Sequence, residues 1–235
     1  MQSVADLESG QIGTGSAFEK WNSGFTQIEN AGFTTIHPDG TLLFIEGEPA
    51  RGLYLVLDGT AKVSVSSPQG RVLIIRVARA GDLLGINSTV TGLPYEATAE
   101  TSKQCRTVFI PRNAFITLHR QDERIREIVL HSLNRYVSAL IEATRRLMLA
   151  ETAAEKLAGL LLKWCDDFGE LDARRVCVRH DFTQEEVAQM IGASRETVTR
   201  LLGEFTKRGL ICMTSFNLQI LDRPGLEDIA SNGKP

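Results

Sequence analysis

The segment Thr183-Gln-Glu-Glu-Val-Ala-Gln-Met-Ile-Gly-Ala-Ser-Arg-Glu-Thr-Val-Thr-Arg200 constrains the fold more than any other part of the chain. It reads as two short amphipathic helices joined by a tight turn at Gly192, where a side chain would crowd the backbone. Thr183 is placed to cap the first helix, and Glu186, three residues on, completes a capping box. Val187, Met190 and Ile191 supply its inner face. Ser194 is placed to cap the second helix. On that helix Val198, Leu201, Leu202 and Phe205 point one way, while Arg195, Glu196, Thr199 and Arg200 share the opposite face. Arginine pairs with guanine O6 and N7, glutamate accepts from cytosine N4, and threonine suits a phosphate or a thymine methyl. A solvated helix pair also carries charge on its outer face. Agreement of caps, turn and packing across the whole segment favours a helix-turn-helix that reads bases.

Charge alone does not advertise a nucleic-acid partner, since the net charge over 235 residues is −3. Its distribution is more informative. Residues 174–223 hold eight Arg or Lys against six Asp or Glu, whereas residues 1–173 hold 17 against 21. The C-terminal third is mildly basic, as contact with DNA at one end requires. No apolar run is long enough to span a bilayer, and the N-terminus lacks a basic-then-apolar signal segment. A cytoplasmic protein without membrane contact is expected. No nucleophile–base spacing, metal motif or phosphate-binding glycine loop points to an enzyme.

The cysteines Cys105, Cys165, Cys177 and Cys212 form no CxxC pair, and His37, His119, His131 and His180 are scattered. A zinc or iron–sulfur site built from local ligands is therefore not expected. Cys165 and Cys177 read as small buried hydrophobes. Cys212, beside the second helix of the motif, is the most consequential place for a thiol switch, although a core or strand-face cysteine is the simpler reading.

Residues 35–110 read as short strands separated by glycines. Leu53, Leu55 and Leu57 alternate before a turn at Asp58-Gly59, Ala61, Val63 and Val65 alternate after it, and Val72 to Val77 and Thr98 to Ile110 follow. That rhythm predicts a small antiparallel roll, able to hold one small ligand or simply to fill its interior. A packing helix is expected over residues 15–30. From Pro111 the period changes to that of a long helix, with an apolar seam at Leu130, Leu133, Val137, Leu140, Thr144 and Leu147. So long a seam calls for a partner helix, and the same helix of a second subunit suits it. Ile125, Val129, Tyr136 and Ile141 form a second flank suited to the roll. A further helix over 151–168 ends at Asp166-Asp-Phe-Gly169. Strands at Leu210–Met213 and Leu218–Leu221 make a hairpin or wing, a short helix spans Leu226–Ala230, and the end at Ser231–Pro235 is frayed.

This arrangement resembles the cyclic-AMP receptor and fumarate–nitrate regulator family of bacterial transcription factors over residues 20–230. The resemblance rests chiefly on Ser194-Arg-Glu-Thr-Val-Thr-Arg-Leu-Leu202, with Gly47-Glu48, Leu57–Gly59, Gly81-Asp82-Leu-Leu-Gly85 and Ile220-Leu-Asp-Arg-Pro-Gly-Leu226 in support. It implies an α+β chain in three parts. These are a cyclic-nucleotide-binding-like antiparallel β-roll (jelly roll) as sensory domain over 1–118, a dimerisation helix over 119–150, and a C-terminal winged helix-turn-helix over 151–235. It further implies a homodimer on a near-palindromic double-stranded DNA operator, in contact with RNA polymerase. By the resemblance Arg195, Glu196 and Arg200 read bases, joined by Thr199, while Thr183, Gln184 and Thr197 position phosphates. A GTGA-like half-site core is favoured. A non-DNA-binding cyclic-nucleotide-type effector or ligand-sensing module is the alternative.

The sensory part departs from the resemblance. Gly85 is followed by Ile86-Asn87 where cyclic-AMP binders carry a ribose-binding glutamate, and their arginine–serine pair has no counterpart in Leu93-Pro-Tyr-Glu-Ala-Thr98. From Val77 to Lys103 the only arginine is Arg79, which precedes the loop. A buried phosphate without a cation is costly, so cyclic AMP bound in the usual manner is not expected. The candidate effector pocket comprises Gly85, Ile86, Asn87, Glu96, Ala97, Ile141 and Glu142, and its effector is an unidentified small molecule. Residues 1–104 contain no cysteine for a fumarate–nitrate-type iron–sulfur cluster. His37 and Cys105 are candidate haem ligands without a supporting motif, so no cofactor is assigned.

Overall fold

The computed structural model describes residues 15–168, 170–172, 175–179, 182–214 and 217–232. Gly169, His180 and residues 233–235, singled out above, lie outside them, as does the side chain of Cys177. The chain divides into two compact units. The first runs to Leu140 without Arg71–Ile74, and the second joins Arg71–Ile74 to Ile141 onward.

The first unit begins with α1 (Gly15–Asn30), β1 (Phe33–His37), β2 (Leu42–Phe44) and β3 (Gly52–Ser66). After these come β4 (Val72–Arg79), β5 (Leu83–Leu84), α2 (Ile86–Thr91), β6 (Thr98–Pro111) and α3 (Arg112–Gln121). The strands make one sheet in the order β1-β6-β3-β4, with β2 paired to β6 and β5 to β3. It is jelly-roll-like, as the sequence rhythm predicts.

One expectation needs correcting. Asp58-Gly59 does not end a strand; β3 runs through it for 15 residues, with register irregularities against β6 between Val56 and Thr60. Gly59 holds φ +81°, and a Cβ there would meet the Gln104 carbonyl oxygen at 2.5 Å. The backbones are too close for a side chain, so the glycine makes an irregularity inside the strand rather than a hairpin. The consequence shows in the core. Leu53, Leu55 and Leu57 lie in the cluster shared with Phe25 and Ile28 of α1 and Phe115 of α3. Beyond the irregularity Ala61 and Val63 join Val56 in the other cluster, around Phe44, Tyr95 and Ala99. The odd-numbered positions have changed faces, the effect of one extra residue on a period of two.

Between α3 and the next helix, α4 (Glu123–Leu149), Asp122 takes an extended backbone. Its carboxylate accepts the Arg124 amide at 2.9 Å and the Arg124 guanidinium. Two helices thus replace the single long one expected from residue 119. Ile125, Ile128 and Val129 anchor the first half of α4 in the core of the roll.

The second unit continues with α5 (Ala153–Phe168), β7 (Glu170–Asp172), β8 (Arg175–Arg179), α6 (Gln184–Ile191), α7 (Arg195–Lys207), β9 (Ile211–Met213), β10 (Asn217–Ile220) and α8 (Arg223–Asn232). Leu157, Leu160, Leu161 and Trp164 of α5 are buried, and Trp164 stacks on Phe182 at 5.1 Å between ring centres. The expected β9–β10 hairpin is present but is half of a four-stranded sheet, β7-β8-β10-β9. Among the described residues no helix is long and apolar enough to cross a membrane.

Candidate functional site

Local chemistry sets helices α6 and α7 rigidly. The Thr183 hydroxyl accepts the Glu186 amide at 3.2 Å, and the Glu186 carboxylate accepts the Thr183 amide at 2.8 Å, closing the capping box. Gly192 ends α6 at φ +66°, the left-handed region that favours glycine. The Ser194 hydroxyl then accepts the Thr197 amide at 3.2 Å to start α7. Val198, Leu201, Leu202 and Phe205 are buried on one face of α7, and Arg195, Glu196, Thr199 and Arg200 are exposed on the other. Hydrogen bonds to its own amide and to Ser194, with Arg195 nearby, hold the Glu196 carboxyl below its ordinary range, so it is an acceptor at neutral pH. Among the described residues Arg200 makes a 3.5 Å contact to Glu204, one helical turn on. Such an exposed pair is weak and easily exchanged.

Thr199 sits differently from the other three. Its hydroxyl donates toward Gln184 Oε1 and the Arg195 carbonyl, the latter at 2.9 Å. That hydroxyl ties α7 to α6 and leaves the Thr199 methyl group free of this tie. Gln184, grouped above with the phosphate-positioning residues, is the other end of this tie. Thr183 and Thr197, the remaining members of that group, lie at the first turns of α6 and α7.

In the roll, Gly85, Ile86, Glu96 and Ala97 line one narrow cleft with free space of about 20 Å3. Phe44, Val63, Leu83 and Leu84 give it apolar walls, and Arg76 and Tyr136 complete it. Asn87, included in the expected pocket, does not line it, and Ile141 and Glu142 belong to the second unit. Ile141 is 56% exposed, and Glu142 pairs with Lys163 at 2.6 Å. The expectation that no cation reaches this cleft is also corrected. It considered the loop after Val77, whereas strand β4 delivers Arg76, one residue earlier. The signal was available: a lone arginine in the otherwise apolar run Val72 to Val77 is expensive to bury without a purpose. Glu96 accepts a hydrogen bond from Ser88. Burial and the Glu96 charge push the Tyr136 phenol up, with Arg76 opposing.

The helix seam is shifted from the one expected. Leu133 packs on the roll core, and Leu140 and Leu147 are half-buried. Leu133 is partly buried by the chain's own unit, which leaves less of it outward than of Leu130 or Val137. The exposed apolar stripe is Leu130, Val137, Ile141 and Met148, between 50% and 77% exposed, with Asn134 and Thr144 completing the same spacing. Ile141 therefore belongs to the stripe rather than to the roll-facing flank, while Ile125 and Val129 are buried as expected.

Cys105 is fully buried, and burial with the Asp58 charge pushes its thiol up to about 11. His37 is bonded through Nε2 to the Thr107 hydroxyl at 3.0 Å. Cys212 is an exposed thiol on β9, the strand-face reading. Among the described residues no group of three or more His, Cys, Asp or Glu could hold a metal ion.

Comparison with known proteins gives this geometry its family. Residues 36–122 match the cyclic nucleotide-binding domain, and residues 155–229 match the Crp-like helix-turn-helix domain. The chain is 31% identical over 185 residues to the CRP-like cAMP-activated global transcriptional regulator of Mycobacterium tuberculosis, covering 79% of this chain and 82% of the relative. Its fold is similar to FixK2 from Bradyrhizobium japonicum, with a TM-score of 0.72 and 18% identity over 84% of this chain and 96% of that one. It is also similar to the c-di-GMP responsive global regulator CLP of Xanthomonas campestris, with a TM-score of 0.70 and 19% identity over 85% and 98% of the two chains. A roll followed by a capped helix-turn-helix with a buried inner face, in a chain this close to a curated relative, has one reading: the protein belongs to the CRP/FNR family of DNA-binding transcription regulators.

Proposed function

We propose that the protein is a homodimeric regulator that binds a two-fold symmetric double-stranded DNA operator through α7, with RNA polymerase as a further partner. The observation that carries this is the exposed row Arg195, Glu196 and Arg200, backed by the buried row Val198, Leu201, Leu202 and Phe205. A helix so anchored presents its outer face without bending, and two bidentate donors beside one acceptor suit a G·C-containing half-site with a GTGA-like core. The partner is a second copy of the chain, because Leu130, Val137, Ile141 and Met148 recur at the spacing of a two-helix seam. The roll is the sensor of a small effector. The relatives differ in what they answer to: the mycobacterial protein is cAMP-activated and the Xanthomonas protein responds to c-di-GMP. Effector identity therefore has to be read from this chain's own cleft.

Selection of bound sequences from random duplexes tests the reading. A symmetric pair of half-sites is the expected result. Enrichment of asymmetric sequences, or no enrichment beyond salt-sensitive non-specific binding, refutes it.

A further inference from the structure

Thr199 and Gln184 face each other between α7 and α6. Gln184 opens α6 and is half-buried, and Thr199 is exposed in the second turn of α7. Helical spacing divides the outer face of α7 into two rows, Arg195 with Thr199 and Glu196 with Arg200. The bond to Gln184 puts Thr199 on the flank of α7 nearest the first turn of α6. That first turn is itself fixed by the Thr183–Glu186 capping box, so Gln184 stands on a rigid base.

A threonine hydroxyl carries one hydrogen. Here that hydrogen has two acceptors inside the protein, Gln184 Oε1 and, at 2.9 Å, the Arg195 carbonyl oxygen one turn back. None is left to donate to a base edge. Threonine in a helix divides between two side-chain rotamers, and a back-bond to the carbonyl four residues earlier anchors the oxygen only to its own helix. Gln184 adds an anchor from a second helix. With the oxygen pinned from both sides, the methyl group is confined to a single staggered position. A methyl group held still on a recognition helix suits one base, because thymine alone presents a methyl group in the major groove. A polar base edge at that place would lose its water to an apolar group and gain no hydrogen bond.

We infer that Thr199 recognises one thymine in each half-site through methyl–methyl contact, and that Gln184 is the positioning residue that fixes the threonine for it. The inference deepens the DNA-binding reading above and rests on it. It gives Gln184 a part in specificity beyond contact with a phosphate. A residue that only touches phosphate supports all sequences alike, whereas a positioning residue changes what one base pair is worth.

The test uses the full-length protein and the duplex it selects from random sequence. Each thymine is replaced by deoxyuridine, at one position of both half-sites at a time, and affinity is read by fluorescence anisotropy. Deoxyuridine keeps the base-pairing groups and removes only the methyl group. One thymine per half-site should respond, with a loss of about fourfold per half-site, equivalent to about 0.8 kcal/mol for one buried methyl group. Thr199→Ser keeps the hydroxyl and should abolish that loss. Gln184→Ala should reduce it below twofold. Gln184→Glu still accepts from the hydroxyl, so it should keep the fourfold loss while its charge weakens binding to every duplex. Thermal melting of each variant should match wild type, since neither side chain lies in the core. Absence of any responsive thymine, or a Thr199→Ser protein that keeps the loss, overturns the inference. An undiminished loss in Gln184→Ala overturns the positioning role. A protein that selects a symmetric operator yet ignores deoxyuridine leaves the DNA-binding reading standing, and one that selects no operator overturns both.

Discussion

At the scale of single residues, positioning and reading come apart. Arg195→Ala or Arg200→Ala should cost about 1–3 kcal/mol on the preferred half-site and relax discrimination at one base pair, measured by competition among single-base operator variants. Thr183→Ala should instead weaken all sequences alike and lower thermal stability by about 1 kcal/mol, the usual worth of an N-cap, because it opens the capping box with Glu186. Asp122 carries a pH signature. Arg124, bonded to its carboxylate, holds it to about 2 from an ordinary 3.8, so the stabilisation is complete above 3.8 and fades as pH falls through about 2. Asp122→Asn should therefore lower the melting temperature at neutral pH and converge with wild type near pH 2. The caps and the exposed and buried faces of α7 were legible in the sequence, since they depend on neighbours three or four positions away. Arg76 was not. Its meaning depends on Asp82, Glu96 and Tyr136, which only the folded roll brings to it.

At the scale of elements, α4 shows how far periodicity reaches. Spacing alone found an amphipathic helix but could not say which stripe its own unit would consume. Two rows of apolar residues run along it, and the roll takes Leu133 into its core periphery. What remains outward is Leu130, Val137, Ile141 and Met148. Val137→Asp with Ile141→Asp should give monomers by sedimentation while the melting of the roll is unchanged. Leu133→Asp should destabilise the roll itself, at a cost of about 2–5 kcal/mol, by placing a charge against an apolar core. Monomers from the second change with full roll stability would reinstate the Leu133 seam. Strand β3 teaches a parallel lesson. Alternation across Asp58-Gly59 looks like two strands with a turn, and only the close approach of Gly59 to Gln104 shows that the chain continues with its faces exchanged.

At the scale of the whole molecule, symmetry is the strongest constraint. If two copies join through a two-fold axis along the α4 stripe, as proposed, they present two copies of α7, and the operator repeats with the opposite sense. In dimeric helix-turn-helix proteins half-site centres lie one turn of the duplex, about 34 Å, apart, so that both recognition helices enter successive major grooves on one face. On the proposed reading each half carries Arg195 and Arg200, and the phosphates contacted around them release counterions on binding. Operator affinity should therefore fall steeply with salt, with a log–log slope of about 0.9 per phosphate neutralised. An insertion of half a turn between the half-sites should reduce binding to that of a single half-site, because the second α7 would face away from its groove. The Val137→Asp, Ile141→Asp monomer should show that same reduced affinity on the unaltered operator. It should also be indifferent to the insertion, a comparison readily made by gel shift with three duplexes. If the inserted operator bound wild-type protein at full strength, the two recognition helices would not be rigidly related, and the symmetric reading of α4 and α7 together would fall.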